Sequence, residues 1–279
     1  MMKTVLPGTH LLVSRFSFGT SSLLKTGTAK ERAALLAAAY RHGFTHFDTA
    51  PYYGFGIAER DLRPLLAAHP DITVTTKVGL YSPGGEEQPA PLVFARKLAG
   101  RLLPRLSKPI VDWSVSRARD ALSASLRRLG RERVDLYLLH EPDLAAISSE
   151  EWLRWLEDER DRVRYFGLAV DSRRLRKFVD ASDPLLSFVQ TEDSIAGREA
   201  DTLLDSGKPL QITYGYVRDA LRRGDADIPG ILMAALARNA TGSIIVGTGK
   251  TARLRQFSEL SDKAGANASR APAPANGRA

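Results

Sequence analysis

The chain has 279 residues, 43% of them hydrophobic and 26% charged, a composition ordinary for a globular protein with a sizeable core. It has no cysteine, which excludes disulfides, thiol catalysis and thiolate metal sites, and no apolar run approaches the roughly 18 residues a membrane span needs. Basic residues outnumber acidic ones, 40 to 32, for a net charge of +8. Through residues 117–133 the arginines interleave with acids, as on solvated helix faces, so neither nucleic acid nor membrane is expected as a partner.

The opening MMKTVLPGTHLLVSR has one Lys, an early Pro and no long apolar stretch, which argues against a secretory signal and for a cytoplasmic protein. Residues 4–15 alternate and turn at Pro7-Gly8, predicting a β-hairpin. Residues 15–20 (RFSFGT) predict a strand ending at Gly19-Thr20. Residues 28–41 predict a helix: Thr28 can cap it, Glu31 completes a capping box, and Gly43 stops it. A strand over 45–50, a helix over 58–68 and a strand over 72–78 follow. Residues 80–112 break this rhythm with several Pro and Gly and a basic stretch over 96–108. So long an excursion is more often functional than accidental. If it overhangs a site, Tyr81 and Trp113 are candidate substrate contacts, though ordinary packing accounts for them as well.

Beyond it, helices are predicted over 116–129, 150–162, 172–181, 196–206, 228–238 and 251–264. The strands between them are expected over 134–139, 163–170, 186–191, 210–216 and 242–246. Eight strand–helix alternations fit a single (β/α)8 TIM barrel over 1–264, with an N-terminal β-hairpin and a long loop after strand three. The tail 265–279, rich in Ala, Pro, Asn and Gly, is expected to be disordered.

Chemistry concentrates at strand ends. Phe47-Asp48-Thr49-Ala50-Pro51-Tyr52-Tyr53-Gly54 places an acid at the end of a strand and a Tyr five residues on. Lys77 ends another apolar run and His140 a third. Each has a purely structural reading: Asp48 as a turn cap, Tyr53 as packing, Lys77 as a solvated charge, His140 as a satisfied imidazole. A βα-barrel, however, gathers the C-terminal ends of its strands on one face, where such folds keep their chemistry.

These segments resemble the aldo-keto reductase family, whose Asp, Tyr, Lys and His tetrad falls on Asp48, Tyr53, Lys77 and His140. FDTAPYYGFGIAE, TTKVG and SLRRLGRERVDLYLLHEPD carry the match, which runs from about Phe18 to Phe257. The resemblance implies a hairpin that closes the bottom of the barrel. It also implies an NADPH-dependent interconversion of an aldehyde or ketone with its alcohol, NADH being the less expected cofactor. Tyr53 would be the general acid, Lys77 would lower its pKa, Asp48 would partner Lys77, and His140 would orient the carbonyl. A metal is not implied.

For the cofactor, the resemblance points to Gly247, Thr248 and Gly249 near phosphate and to Arg253, helped by Lys250, for an adenosine 2′-phosphate. Gln190 would bond the carboxamide and Tyr214 would stack on the nicotinamide, with Gly19, Thr20 and Asp48 completing the set. The run from Ile244 to Thr251 is not a Walker loop, since Ile244 stands where Gly is required. Two departures stand out. Ala169 and Val170 replace the usual Ser-Asn pair, and Tyr214-Gly215-Tyr216-Val217-Arg218 replaces the usual Ser-Pro-Leu. A cofactor-binding regulatory barrel, or a non-redox acid–base enzyme using the same tetrad, are the alternative readings.

Overall fold

The computed structural model describes residues 1–100 and 102–270. A hairpin opens the chain, β1 (Lys3–Val5) and β2 (Leu12–Ser14) pairing antiparallel. β3 (Phe16–Gly19), α1 (Ala29–Arg41), β4 (His46–Asp48), α2 (Ile57–Ala68) and β5 (Thr73–Val78) follow as expected. The capping box forms: the Thr28 side chain accepts from the Glu31 backbone N–H, and the Glu31 carboxylate accepts from that of Thr28.

The excursion is not a bare loop. β6 (Leu80–Tyr81), α3 (Ala90–Ala99) and β7 (Ile110–Val111) build it, with β6 and β7 pairing antiparallel as its stem. Then come α4 (Val115–Leu129), β8 (Val134–His140), α5 (Ser149–Asp158), β9 (Val163–Val170), α6 (Ser172–Asp180), β10 (Val189–Glu192), α7 (Asp201–Asp205), β11 (Ile212–Tyr214), α8 (Tyr216–Arg222), α9 (Ile228–Arg238), β12 (Ser243–Val246) and α10 (Thr251–Arg270).

Several boundaries differ from expectation, among them the end of α5 at Asp158 rather than 162 and the start of β10 at Val189 rather than 186, and three have a clear local reason. α7 is shorter because Ser194 accepts from the Gly197 N–H and Asp193 from the Ala200 N–H, turn chemistry that displaces the first helical turns. The strand expected to reach 216 stops at Tyr214, where Gly215 (φ 113°) turns the chain and Tyr216 starts α8 with its hydroxyl on Asp193. α10 continues through 265–270, part of the tail expected to be disordered, while 271–279 lie outside the described residues. The chain's N-terminus holds this helix: the Met1 ammonium pairs with Asp262 at 3.2 Å and the Met2 N–H donates to Ser261.

The eight parallel strands β3, β4, β5, β8, β9, β10, β11 and β12 form a closed barrel, sealed where Ile244, Ile245 and Val246 stand opposite Phe16, Ser17 and Phe18. Alternation along each strand divides the core in two. Leu136, Leu138, Ala169 and Ile212 join Leu6, Leu11 and Val13 of the hairpin in an inner cluster, so the hairpin plugs one end of the barrel. Tyr137, Leu139, Leu168, Val170, Ile244 and Val246 belong instead to the shell between strands and helices. The same alternation sends the side chains of Asp48, Lys77, His140, Ala169, Gln190 and Tyr214 inward, at the end of the barrel away from the hairpin.

Candidate active site

A cleft of about 1040 Å³ opens at that end. Asp48, Tyr53, Lys77 and His140 line it together with Gly19, Ala169, Gln190 and Tyr214, and strand register explains the meeting. Gly19 stands opposite Asp48 on β3 and β4, while His140, Ala169 and Gln190 stand opposite one another on β8, β9 and β10, so two groups of neighbouring strands present matching levels of side chains to the cleft floor.

Lys77 is 1% exposed, and its ammonium donates to Asp48 Oδ1 (2.8 Å), Asp48 Oδ2 (2.7 Å) and the Thr49 carbonyl (3.0 Å). Asp48 and the Thr49 carbonyl together hold the ammonium in place. Burial pulls Lys77 below the ordinary lysine range and pushes Asp48 above the usual carboxylate range, each opposed by the charge of the other. Hydrogen bonding from Gln190 also favours the ionised Asp48.

Lys77 Nζ lies 4.9 Å from the centroid of the Tyr53 ring, facing its π-surface. The expected lowering of the Tyr53 phenol is therefore corrected. Burial, then the charges of Asp48 and Glu141, hold it well above the ordinary tyrosine value. His140 meets the Tyr53 ring edge to face at 5.9 Å. Burial and then the charge of Lys77 drive its pKa well down, so its imidazole is neutral, and its Nδ1 has no partner among the described residues.

The residues expected around a cofactor divide. Gly19, Gln190, Tyr214, Gly247 and Arg253 line the cleft; Thr20, Thr248 and Gly249 do not. The Thr20 hydroxyl is spent on the Asp48 carbonyl (2.9 Å), and the Thr248 hydroxyl accepts from the Lys250 N–H (3.0 Å), so both serve loop geometry. Of the departing pair, Ala169 faces the cleft, whereas Val170 is buried in the outer shell. Buried Gln190 Oε1 has no partner among the described residues. Tyr81 and Trp113, the candidate substrate contacts, are packing residues. Tyr81 lies under the Arg117 guanidinium, and Trp113 Nε1 donates to the His140 carbonyl, fixing the end of β8.

Sequence reasoning passed over Glu141, Lys25 and Arg218, which also line the cleft. Glu141 sits in the quoted LLHEPD segment, next to His140, and its left-handed backbone (φ 51°) aims it inward. Its carboxylate accepts from the Asp171 N–H (3.1 Å) and from Arg174 (3.2 Å). Burial nonetheless pushes its pKa up to about 7. Lys25 comes from the turn Leu23–Thr26 after the first barrel strand; its signal was a lone cation in a loop on the same face as Asp48. Lys25, Ser22, Gly247 and Arg253 line the cleft, and its two cations there make an electropositive lining suited to phosphate.

The aldo/keto reductase family model matches residues 15–206. The chain belongs to that family. It is 30% identical over 139 residues to D-threo-aldose 1-dehydrogenase of a Pseudomonas species, covering 48% of this chain and 41% of that protein. It is 27% identical over 245 residues to the NADH-specific methylglyoxal reductase of Escherichia coli strain K12, covering 80% and 70%. The match to the first of these aldo-keto reductase relatives thus spans about two-fifths of that relative's length. Among solved structures, the holo form of an aldo-keto reductase from Bacillus halodurans superposes with a TM-score of 0.71 at 19% identity, over 99% of this chain and 93% of that one. This likeness supports the (β/α)8 fold.

Proposed function

We propose that this aldo-keto reductase interconverts an aldehyde or ketone with its alcohol, using NADPH. The observation that carries the reading is the meeting of Tyr53, neutral His140 and the buried Lys77–Asp48 pair on one cleft floor, with an electropositive lining in the same cleft. The residues fit a nicotinamide dinucleotide. Gln190 Oε1 is a buried acceptor without a partner among the described residues, able to take a carboxamide N–H, and Tyr214 lines the same cleft. Lys25 and Arg253 are placed for phosphates, Arg253 for the 2′-phosphate that separates NADPH from NADH.

When bound, the nicotinamide supplies the hydride. Tyr53 supplies the proton. Its raised pKa keeps the phenol protonated, and the alkoxide forming at the carbonyl oxygen is basic enough to take that proton. His140, uncharged, hydrogen-bonds the carbonyl oxygen and holds it toward Tyr53. Lys77, held by Asp48 over the Tyr53 ring, fixes the ring and stabilises the phenolate left after transfer, which regains its proton from solvent.

Tyr53→Phe is expected to lower turnover by roughly 100- to 10,000-fold while leaving NADPH binding unchanged, since only the proton donor is lost. Fluorescence titration with NADPH and NADH separately, with Arg253→Ala in parallel, tests the cofactor: NADPH affinity should fall in the variant and NADH affinity should hardly change. Binding without turnover on any carbonyl would favour the regulatory barrel, which the missing polar side chain at Ala169 also favours. Full activity of Tyr53→Phe would end the assignment.

A further inference from the structure

The excursion between β5 and α4 carries an apolar surface that its own packing does not use. α3 seats itself with Ala90, Val93 and Lys97, spaced i, i+3, i+7. Val93 is buried against Phe55 and Ile57, and the Lys97 ammonium lies 4.9 Å from the Phe55 ring centroid. One residue on, the same spacing recurs in Pro91, Phe94 and Leu98 and points outward. A helix needs one apolar stripe to dock on a core; this one has two. Leu98 is 65% exposed and Leu102, just past the helix, 87%, while Leu92, Phe94 and Leu103 are exposed around them.

The charges of this segment are equally one-sided. Residues 88–111 contain five basic residues and no acidic one. The ion pairs beside it, Arg60–Glu87 and Arg128–Glu87, do not include Arg96, Arg105 or Lys108, and among the described residues the Arg96 guanidinium donates to the Pro83 carbonyl. Two copies of this face would set cations against cations, which opposes self-association. Projecting apolar side chains beside the exposed cations Arg105 and Lys108 suit a surface that offers phosphates above an apolar interior.

We propose that the segment between β6 and β7 docks the barrel onto an anionic phospholipid surface, with Phe94, Leu98 and Leu102 entering the headgroup boundary and Arg96, Arg105 and Lys108 meeting lipid phosphates. No helix among the described residues can cross a membrane, but lying on one is a separate property. The docked element adjoins the cleft: Tyr52 donates to the Ser107 carbonyl (2.6 Å), and Leu24, beside the cleft residue Lys25, packs on the cluster that seats α3. Docking therefore sets the mouth of the site beside the lipid, where apolar carbonyl compounds concentrate.

Co-sedimentation of the full chain with phosphatidylcholine vesicles, and with vesicles of equal parts phosphatidylcholine and phosphatidylglycerol, tests this. The expected result is binding to the anionic vesicles alone, lost at high salt, and weakened at least about tenfold in Phe94→Ser/Leu98→Ser/Leu102→Ser. Circular dichroism of the variant checks that it is folded; if it is not, the single change Leu102→Ser, at the most exposed position, replaces it and should also weaken binding. A wild-type chain that stays in the supernatant overturns the proposal, as does a folded variant that binds equally well. Concentration-dependent dimers, lost in the variant and without vesicle binding, would assign the face to a second copy. Retention by an acidic polypeptide but not by vesicles would assign it to an acidic protein, and either result rejects the lipid.

Discussion

Glu141 shows how one side chain can set the working state of a site. Its left-handed backbone costs on the order of 1 kcal/mol and turns its carboxyl into the cleft, where its charge raises the phenols of Tyr53 and Tyr214. The folded pKa of about 7 lies above the ordinary 4.5. Below pH ~4.5 Glu141 is protonated in both folded and unfolded chains and has no effect on stability. As pH rises toward 7 the unfolded chain ionises while the folded one keeps its proton, so stability falls, by at most about 3 kcal/mol. The groups facing it are Asp171, Arg174 and Glu192, with Tyr53, Tyr214 and Lys77 across the cleft. Glu141→Gln should therefore match the wild type in thermal melts near pH ~4 and exceed it near pH ~8. Equal melting curves at both would show that Glu141 titrates normally.

Elements in this barrel are set partly by local chemistry and partly by closeness to neighbours. The Thr28 capping box is local, and it formed as read. The approach of β9 to β10 is not local. Gly167 lies where an added Cβ would come within 2.0 Å of the Phe188 carbonyl oxygen, a backbone atom that cannot swing aside. Gly167→Ala should push the strands apart and cost about 1–3 kcal/mol in urea unfolding. Because Gly167 precedes Ala169 on the same strand, that substitution should also weaken NADPH binding, whereas a surface Gly207→Ala should leave binding alone. Unchanged stability of Gly167→Ala would mean the two strands have slack between them. The excursion shows a different balance: α3 is seated by three residues, and most of its apolar surface faces outward.

Closure of the whole barrel rests on a buried cation without an acid. Arg15 is 5% exposed and donates to the carbonyls of Gly242, Leu236 (2.8 Å) and Asn239 (2.7 Å), tying the start of β3 to the C-terminal end of α9. The partial negative charge of the helix end offsets part of the desolvation that lowers its pKa. Arg15→Met leaves three carbonyls without their donor at the seam and should cost about 3 kcal/mol in urea. Unfolding should stay a single transition, since the seam joins first strand to last. A loss below about 0.5 kcal/mol would place the seam's strength in the β3–β12 ladder alone.

The order of strands and helices, the capping box, the long excursion and the catalytic-type residues at strand ends were all legible in the chain. Each is a property of neighbouring residues: period, turn chemistry or a short motif. Only the closed structure decided which way those residues act. It sent Ala169 to the cleft and Val170 to the outer shell, because successive side chains of a strand face opposite sides. It bonded the Lys77 ammonium to Asp48 and Thr49 and set it over the Tyr53 ring, and turned the hydroxyls of Thr20 and Thr248 back onto their own loops. It also brought Glu141 and Lys25 into the cleft, although no motif had assigned them a part. Hydrogen-bond partners come from strands and loops far apart in sequence, and a chain read residue by residue carries no record of which of them will meet.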